Sequence, residues 1–332
     1  MKRINQLVAL LLLCTACNAL NAQSSGIKVI KTFHIASAGG WDYLSVNGNK
    51  LYVSHGTQVN ILDKKTGDSL GVLTNTNGVH SIAFDEPDGK GFTSNGRSNN
   101  LTVFNLATGS ITSEIAAGEN PDAIMYDGFT KKIITCNGRS KDLSVIDPVT
   151  QKLVGTIPVG GKPETAVSND AGKWFVNIED KNEIVAIDAV TMKVLNHWSL
   201  APADGPTGLA FDKKTNQLFA GCDKLLVVMD AATGTITDKL PIGDGCDGVA
   251  FDPAKGYVYT SNGEGTMTVV KESADGKCSV LENIATKRGA RTIAIDEATH
   301  AIYLPTADFE PLAAGERRPK MIAGSFQVMM LQ

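Results

Sequence analysis

One polar residue recurs through the chain at a nearly constant interval, and no other feature limits the fold so sharply. Aligned on Asp42, His80, Asp122, Glu164, Thr207, Asp247 and Arg291, the spacings are 38, 42, 42, 43, 40 and 44 residues. An aliphatic residue stands seven positions before each of them: Ile35, Leu73, Ile115, Ile157, Leu200, Leu240 and Ile284. Such a period marks a repeat architecture, in which one unit is stacked on its copies because it cannot bury its apolar face alone.

Each unit holds four short runs: HSIAFD, KGFTSN, LTVFN and SITSEI in the second, DAIMYD, KIITCN, LSVID and KLVGTI in the third. Apolar and β-branched residues at period two, bounded by Gly, Asn and Asp, predict half-buried strands. Third and fourth strands are often joined by Asp-x-x-Thr-Gly, as in Asp63–Gly67 and Asp230–Gly234. There Asp accepts from backbone amides and Gly supplies positive φ. No helical stripe appears. Four strands in ~42 residues is the blade length of a β-propeller, which hides its strand edges by radial repetition. The expected fold is all-β, a seven-bladed propeller of four-stranded blades. The segment 27–35 (IKVIKTFHI) reads as a fourth strand with no first three before it, and the seventh unit offers only ARTIAID, AIYLPT and SFQVMML. The N-terminal strand is therefore expected to complete the last blade and close the ring, a complementarity an open solenoid would not explain.

The NPDAI, LSVIDPVT and IPVGGKPE phrases resemble the YVTN-repeat, YncE-like exported β-propellers, over nearly the whole chain after residue 22. The resemblance implies a seven-bladed fold outside the cytoplasm and little chemistry, since propellers host unrelated functions. Some of these propellers are reported to bind DNA. Here the balance is acidic: 31 Lys and Arg against 35 Asp and Glu give −4, and −6 once Lys2 and Arg3 are removed. That balance offers no electrostatic footprint for nucleic acid or an anionic membrane.

Lys2 and Arg3, the run LVALLLLCTAC and the small residues of NALNA read as an export signal over residues 1–22, leaving one propeller domain over 23–332 in the periplasm or secreted. A lipoprotein anchored through Cys17 is the competing reading, but Cys14 occupies the position where such a signal carries an aliphatic residue. No later run approaches the ~18 apolar residues of a membrane span. Cys136, Cys222, Cys246 and Cys278 are too few for a disulfide scaffold, although Cys222 and Cys246 fall on opposite sides of one blade boundary.

Alternating strand direction places the recurring polar residues in a ring at the upper mouth of the channel. Second strands end beside it, at His55, Asn95, Asn137, Ile178, Cys222, Asn262 and Thr306. The candidate ligand-binding residues are Asp42, His55, His80, Arg97, Asp122, Arg139, Glu164, Asp247 and Arg291. Arg97 and Arg139 belong to a motif, NGRS, that occurs twice; they either hydrate and pair, or present fork-shaped donors to a carboxylate or phosphate. His55, His80 and Asp122 are candidate ligands of a divalent metal, the only cofactor suggested, against the plainer reading of histidines lining a polar channel. An insertion over 307–324 in the seventh unit is either a solvated excursion or a lid. GDSLG at Gly67–Gly71 matches a nucleophile motif but lies in a hairpin, so Ser69 is not expected to react. Two functions compete: a monomeric propeller that binds a small anionic or zwitterionic ligand or a protein partner, and a metal-assisted, lactonase-like hydrolase or lyase using the same face.

Overall fold

Period-two runs separated by Asp and Gly turns become sheets, each copy of the repeat one blade. The computed structural model describes residues 24–312, 316 and 319–332 and arranges them as seven four-stranded sheets. The expected export signal and Cys17 lie outside the described residues. Six blades run in chain order from the channel outward. The inner strands are Trp41–Asn47, Val79–Asp85, Pro121–Asp127, Pro163–Ser168, Leu209–Asp212, Cys246–Asp252 and Ala294–Asp296. They pack side by side around the channel.

The last blade takes three strands from the seventh unit, and Val29–His34 adds its outermost strand antiparallel to Gln327–Leu331, with Val29 opposite Leu331 and His34 opposite Gln327. That pairing closes the ring with backbone hydrogen bonds. Between blades the core is made of large side chains from facing sheets: Tyr52 of blade one meets Phe104 of blade two with ring centroids 5.8 Å apart. No helix among the described residues is long and apolar enough to cross a membrane.

The outer hairpins follow their turn chemistry. The Asp63 carboxylate accepts from the amides of Lys65 and Thr66, both at 2.9 Å, and Gly67 takes φ +80°. The NGRS loops turn without their glycines. Gly96 and Gly138 do not supply the turn's positive φ; Asn99 (φ +53°) and Lys141 (φ +60°) do. Gly96 is required for a different reason. A Cβ there would lie 2.6 Å from His80 Nε2 and 2.8 Å from Asn120 Oδ1, so the loop can cross the channel mouth only without a side chain.

The insertion after Thr306 begins as a two-stranded arm. Glu310 donates to the Lys320 carbonyl and Ile322 to that of Asp308, both at 2.8 Å, and Phe309 packs on Trp41 with ring centroids 6.1 Å apart. Residues 313–315 and 317–318 lie outside the described residues.

Candidate functional site at the channel mouth

The ring of recurring polar residues is built by a local irregularity. In five inner strands the register slips at the same place: between Trp41 and Leu44, Val79 and Ile82, Pro121 and Ile124, Pro163 and Ala166, and Cys246 and Gly248. Asp42, His80, Asp122, Glu164 and Asp247 sit inside these bulges. A bulge adds a residue to one strand and re-aims its side chain, here at the end of the strand that borders the channel. Hydroxyl groups hold the bulged backbone from the next blade. Thr292 donates to the Asp42 carbonyl at 2.6 Å, Thr207 to that of Cys246 at 2.8 Å, and Ser94 to that of Asp122.

The side chains enclose a cavity of about 240 Å³ lined by Asp42, Tyr43, Asp122, Lys162, Glu164, Glu179, Thr207, Asp247 and Arg291. His80 borders it. Its Nδ1 is 2.6 Å from Asp42 Oδ2 and 3.6 Å from Asp122 Oδ1. Arg291 pairs with Asp247, lies 3.3 Å from Asp42 Oδ1, and donates to the Trp41 carbonyl at 3.2 Å. Lys162 bridges Glu164 at 2.5 Å and Glu179. Five carboxylates line this cavity against two permanent cations, and no more than three positive charges even if His80 is protonated.

Burial first, and the crowding of carboxylates after it, shape the titration of the cavity. Burial, with the Asp122 charge adding to it and Lys162 opposing, raises the Glu164 carboxyl to about 8. Burial likewise raises Asp122 to about 6, against the pull of His80. Burial favours neutral His80, but its hydrogen bond to Asp42 and the charge of Asp122 outweigh this and its pKa is raised. Lys162 is also raised: the desolvation that favours its neutral form is overcome by Glu164 and Glu179. Desolvation together with a nearby like charge is the standard cause of elevated carboxyl pKa values.

The structure brings together Asp42, His80, Asp122, Glu164, Asp247 and Arg291, and separates His55, Arg97 and Arg139 from them. His55 is fully buried; its Nδ1 is 2.5 Å from the Ser37 hydroxyl, its Nε2 is 2.8 Å from the Gly39 carbonyl, and its ring stacks on Phe326 at 3.9 Å. Both nitrogens are committed, and burial lowers its pKa. His55 therefore has no free nitrogen to offer a metal in this arrangement, and the reason is positional. It ends the second strand, where Asn95 binds Asn100 and Thr102 at 3.0 and 2.8 Å and Asn262 binds Thr266 and Thr268 at 3.1 and 3.0 Å. That position staples a loop in every one of these blades. Arg97 and Arg139 are exposed, and neither lies within ion-pair distance of a carboxylate among the described residues. Among the described residues, the group able to hold a metal ion is instead Asp42, His80 and Asp122, with one ligand atom from each lying within 4.8 Å of the others.

Lys162, Glu179 and Tyr43 were not expected. Lys162 stands two residues before the ring position in Lys-Pro-Glu, where the preceding repeat has Asn120, and Tyr43 stands one residue after it. Adjacency to the ring was the available signal. The described cysteines are free, with Cys222 and Cys246 both buried at their blade boundary.

No protein-family model matches the chain. No curated protein matches it either. Among solved structures it is similar to hydrazine synthase of Kuenenia stuttgartiensis, at 14% identity and a TM-score of 0.71 over 82% of this chain and 94% of that one. At that identity the likeness carries the propeller fold and no chemistry. The architecture implied by the YVTN-repeat resemblance is present, and membership of that family stays a resemblance.

Proposed function

We propose that this is an exported propeller whose channel mouth binds a divalent cation through Asp42, His80 and Asp122, and uses it to hold a small ligand. The observation that carries the reading is the convergence of those three side chains in a cavity short of positive charge. A carboxylate–imidazole–carboxylate set suits a borderline or hard divalent ion and leaves coordination positions open. The ion would offset the burial, and the like charge added to it, that raise the Asp122 and Glu164 carboxyls. An anionic or zwitterionic group on the ligand would complete the coordination, with Arg291 beside it next to Asp42. Export is supported by the charged, apolar and small-residue stretches of residues 1–22.

The test is calorimetric titration of metal-stripped protein (residues 23–332) with Mn²⁺, Zn²⁺, Ca²⁺ and Mg²⁺. One tight equivalent that disappears in both Asp122→Asn and His80→Ala supports the reading. Equal binding by wild type and both variants overturns it.

A second reading, metal-assisted hydrolysis or lyase chemistry at the same mouth, draws on one observation. Glu164, with a pKa of about 8, is poised to exchange a proton near neutrality. Turnover of a lactone or ester panel by the metal-loaded protein, lost in Glu164→Gln without loss of metal binding, would promote it over binding alone.

A further inference from the structure

The channel has a second chamber, and its chemistry is opposite to that of the mouth. Below the charged ring, a cavity of about 430 Å³ opens between blades four and seven. Its walls are Val167, Leu209, Phe211, Val249, Phe251 and Ile295. The sequence builds it by a pattern that repeats after the ring position. Thr207 is followed by Gly208, Leu209, Ala210 and Phe211; Asp247 by Gly248, Val249, Ala250 and Phe251; Arg291 by Thr292, Ile293, Ala294 and Ile295. Small and large residues alternate.

The small positions let the blades close on one another. A Cβ on Gly208 would lie 2.5 Å from the Val249 amide nitrogen, and one on Gly248 would lie 2.8 Å from Ile293 Cγ2. Two residues past the ring the side chains are buried on both sides of the channel, Leu44, Ile82 and Ile124 at 4, 3 and 9% exposure and Leu209 and Ile293 at 3 and 8%. Val167, Phe211, Val249, Phe251 and Ile295 keep part of their surface open.

We infer that this lower chamber is a binding site for an uncharged small molecule with an aromatic or other apolar ring system. Three observations select that class. The lining combines apolar side chains with backbone and rim polar groups, and Phe211 and Phe251 present rings held from behind by Phe175 and Phe219, at centroid distances of 5.8 and 5.4 Å. The inner strands are hydrogen-bonded on one edge only, so the wall offers scattered backbone donors and acceptors that orient a ligand without demanding charge. The acid and base at the rim are already engaged: Asp212 accepts from the amides of Lys214 and Thr215 at 2.9 and 3.2 Å, and Lys213 pairs with Asp170. A charged head group would meet no free partner there except the exposed Glu297, which repels anions. The volume matches a small molecule and falls within the ~300–1,000 Å³ range of ligand pockets.

This site does not depend on the metal reading, and its test is run in EDTA. The probe is the neutral fluorophore Nile red, titrated against protein 23–332, with dodecyl sulfate and dodecylammonium as charged competitors. The expected result is saturable one-to-one binding, weakened at least tenfold in Val167→Asp and unchanged in Asp122→Asn. Neither charged competitor should displace the probe below its own micelle-forming concentration. Val167→Phe, which narrows the chamber without adding charge, provides the same reading should the aspartate variant not fold. Circular dichroism melts establish folding of each variant. Absence of saturable binding overturns the inference. So does binding that survives in every folded Val167 variant, or that responds to Asp122→Asn instead.

Discussion

The two histidines on the upper face have opposite roles, although the sequence presents them alike. His80 sits in a bulge at the start of an inner strand, between Asp42 and Asp122, with part of its ring open to the channel. His55 ends a second strand, fully buried under Phe326 with both nitrogens bonded to Ser37 and Gly39. One is placed by a register slip that re-aims a side chain, the other by a position that fastens a loop. A histidine's role here is decided by which strand end it occupies, and its chemistry follows from what that end leaves unbonded.

The sharpest way to break the contrast is to remove each ring. His55→Ala deletes a buried stack and two hydrogen bonds, and is expected to cost about 2–4 kcal/mol in urea unfolding while leaving the metal-induced stabilisation intact. His80→Ala should do the reverse. It should change the metal-free melt little, but abolish a stabilisation of about 2.7 kcal/mol that a ligand at 100 times its dissociation constant confers on the wild type. Equal effects of the two substitutions on both readouts would erase the distinction.

The pH dependence of stability sharpens the electrostatic half of the comparison. Glu164 has a folded-state pKa of about 8 against an ordinary value of 4.5. The folded protein therefore binds more protons than the unfolded chain between these values. The contribution is fully present below about pH 4.5 and is lost as pH rises through about 8. Metal-free wild type should thus lose stability across that window relative to Glu164→Gln, and saturating metal should reduce the difference. A pH profile of unfolding midpoints with coincident slopes for the two proteins would contradict the raised pKa.

Gly96→Ala tests whether the repeated NGRS glycine serves the site. The added methyl meets His80 Nε2, so metal affinity should fall several-fold with only a modest stability loss, read by calorimetry and urea melts. The smallest effect is expected at Arg97→Ala. An exposed arginine without an ion pair should contribute within about 0.5 kcal/mol to stability and nothing to metal affinity, which differential scanning calorimetry and metal titration would check.

Sequence alone determined the architecture, because repetition makes the fold over-specified. Seven aligned polar residues, seven aliphatic partners and one unmatched terminal strand each point to the same closed ring, and Val29–His34 pairs with Gln327–Leu331 as that argument requires. It also located the mouth: Asp42, His80, Asp122, Glu164, Asp247 and Arg291 share one cavity or its border. Tertiary structure alone decided which neighbours completed the site. Lys162 and Glu179 enter it because a lysine two residues before the ring reaches across to a loop of the same blade, a distance no periodicity encodes. His55 leaves it because its partners, Ser37, Gly39 and Phe326, come from the chain segment before blade one and from the last blade. Those contacts exist only once the ring has closed. Strand order follows from local alternation and turn chemistry, which a linear sequence displays. The number of free nitrogens on a histidine follows from long-range packing, which it does not.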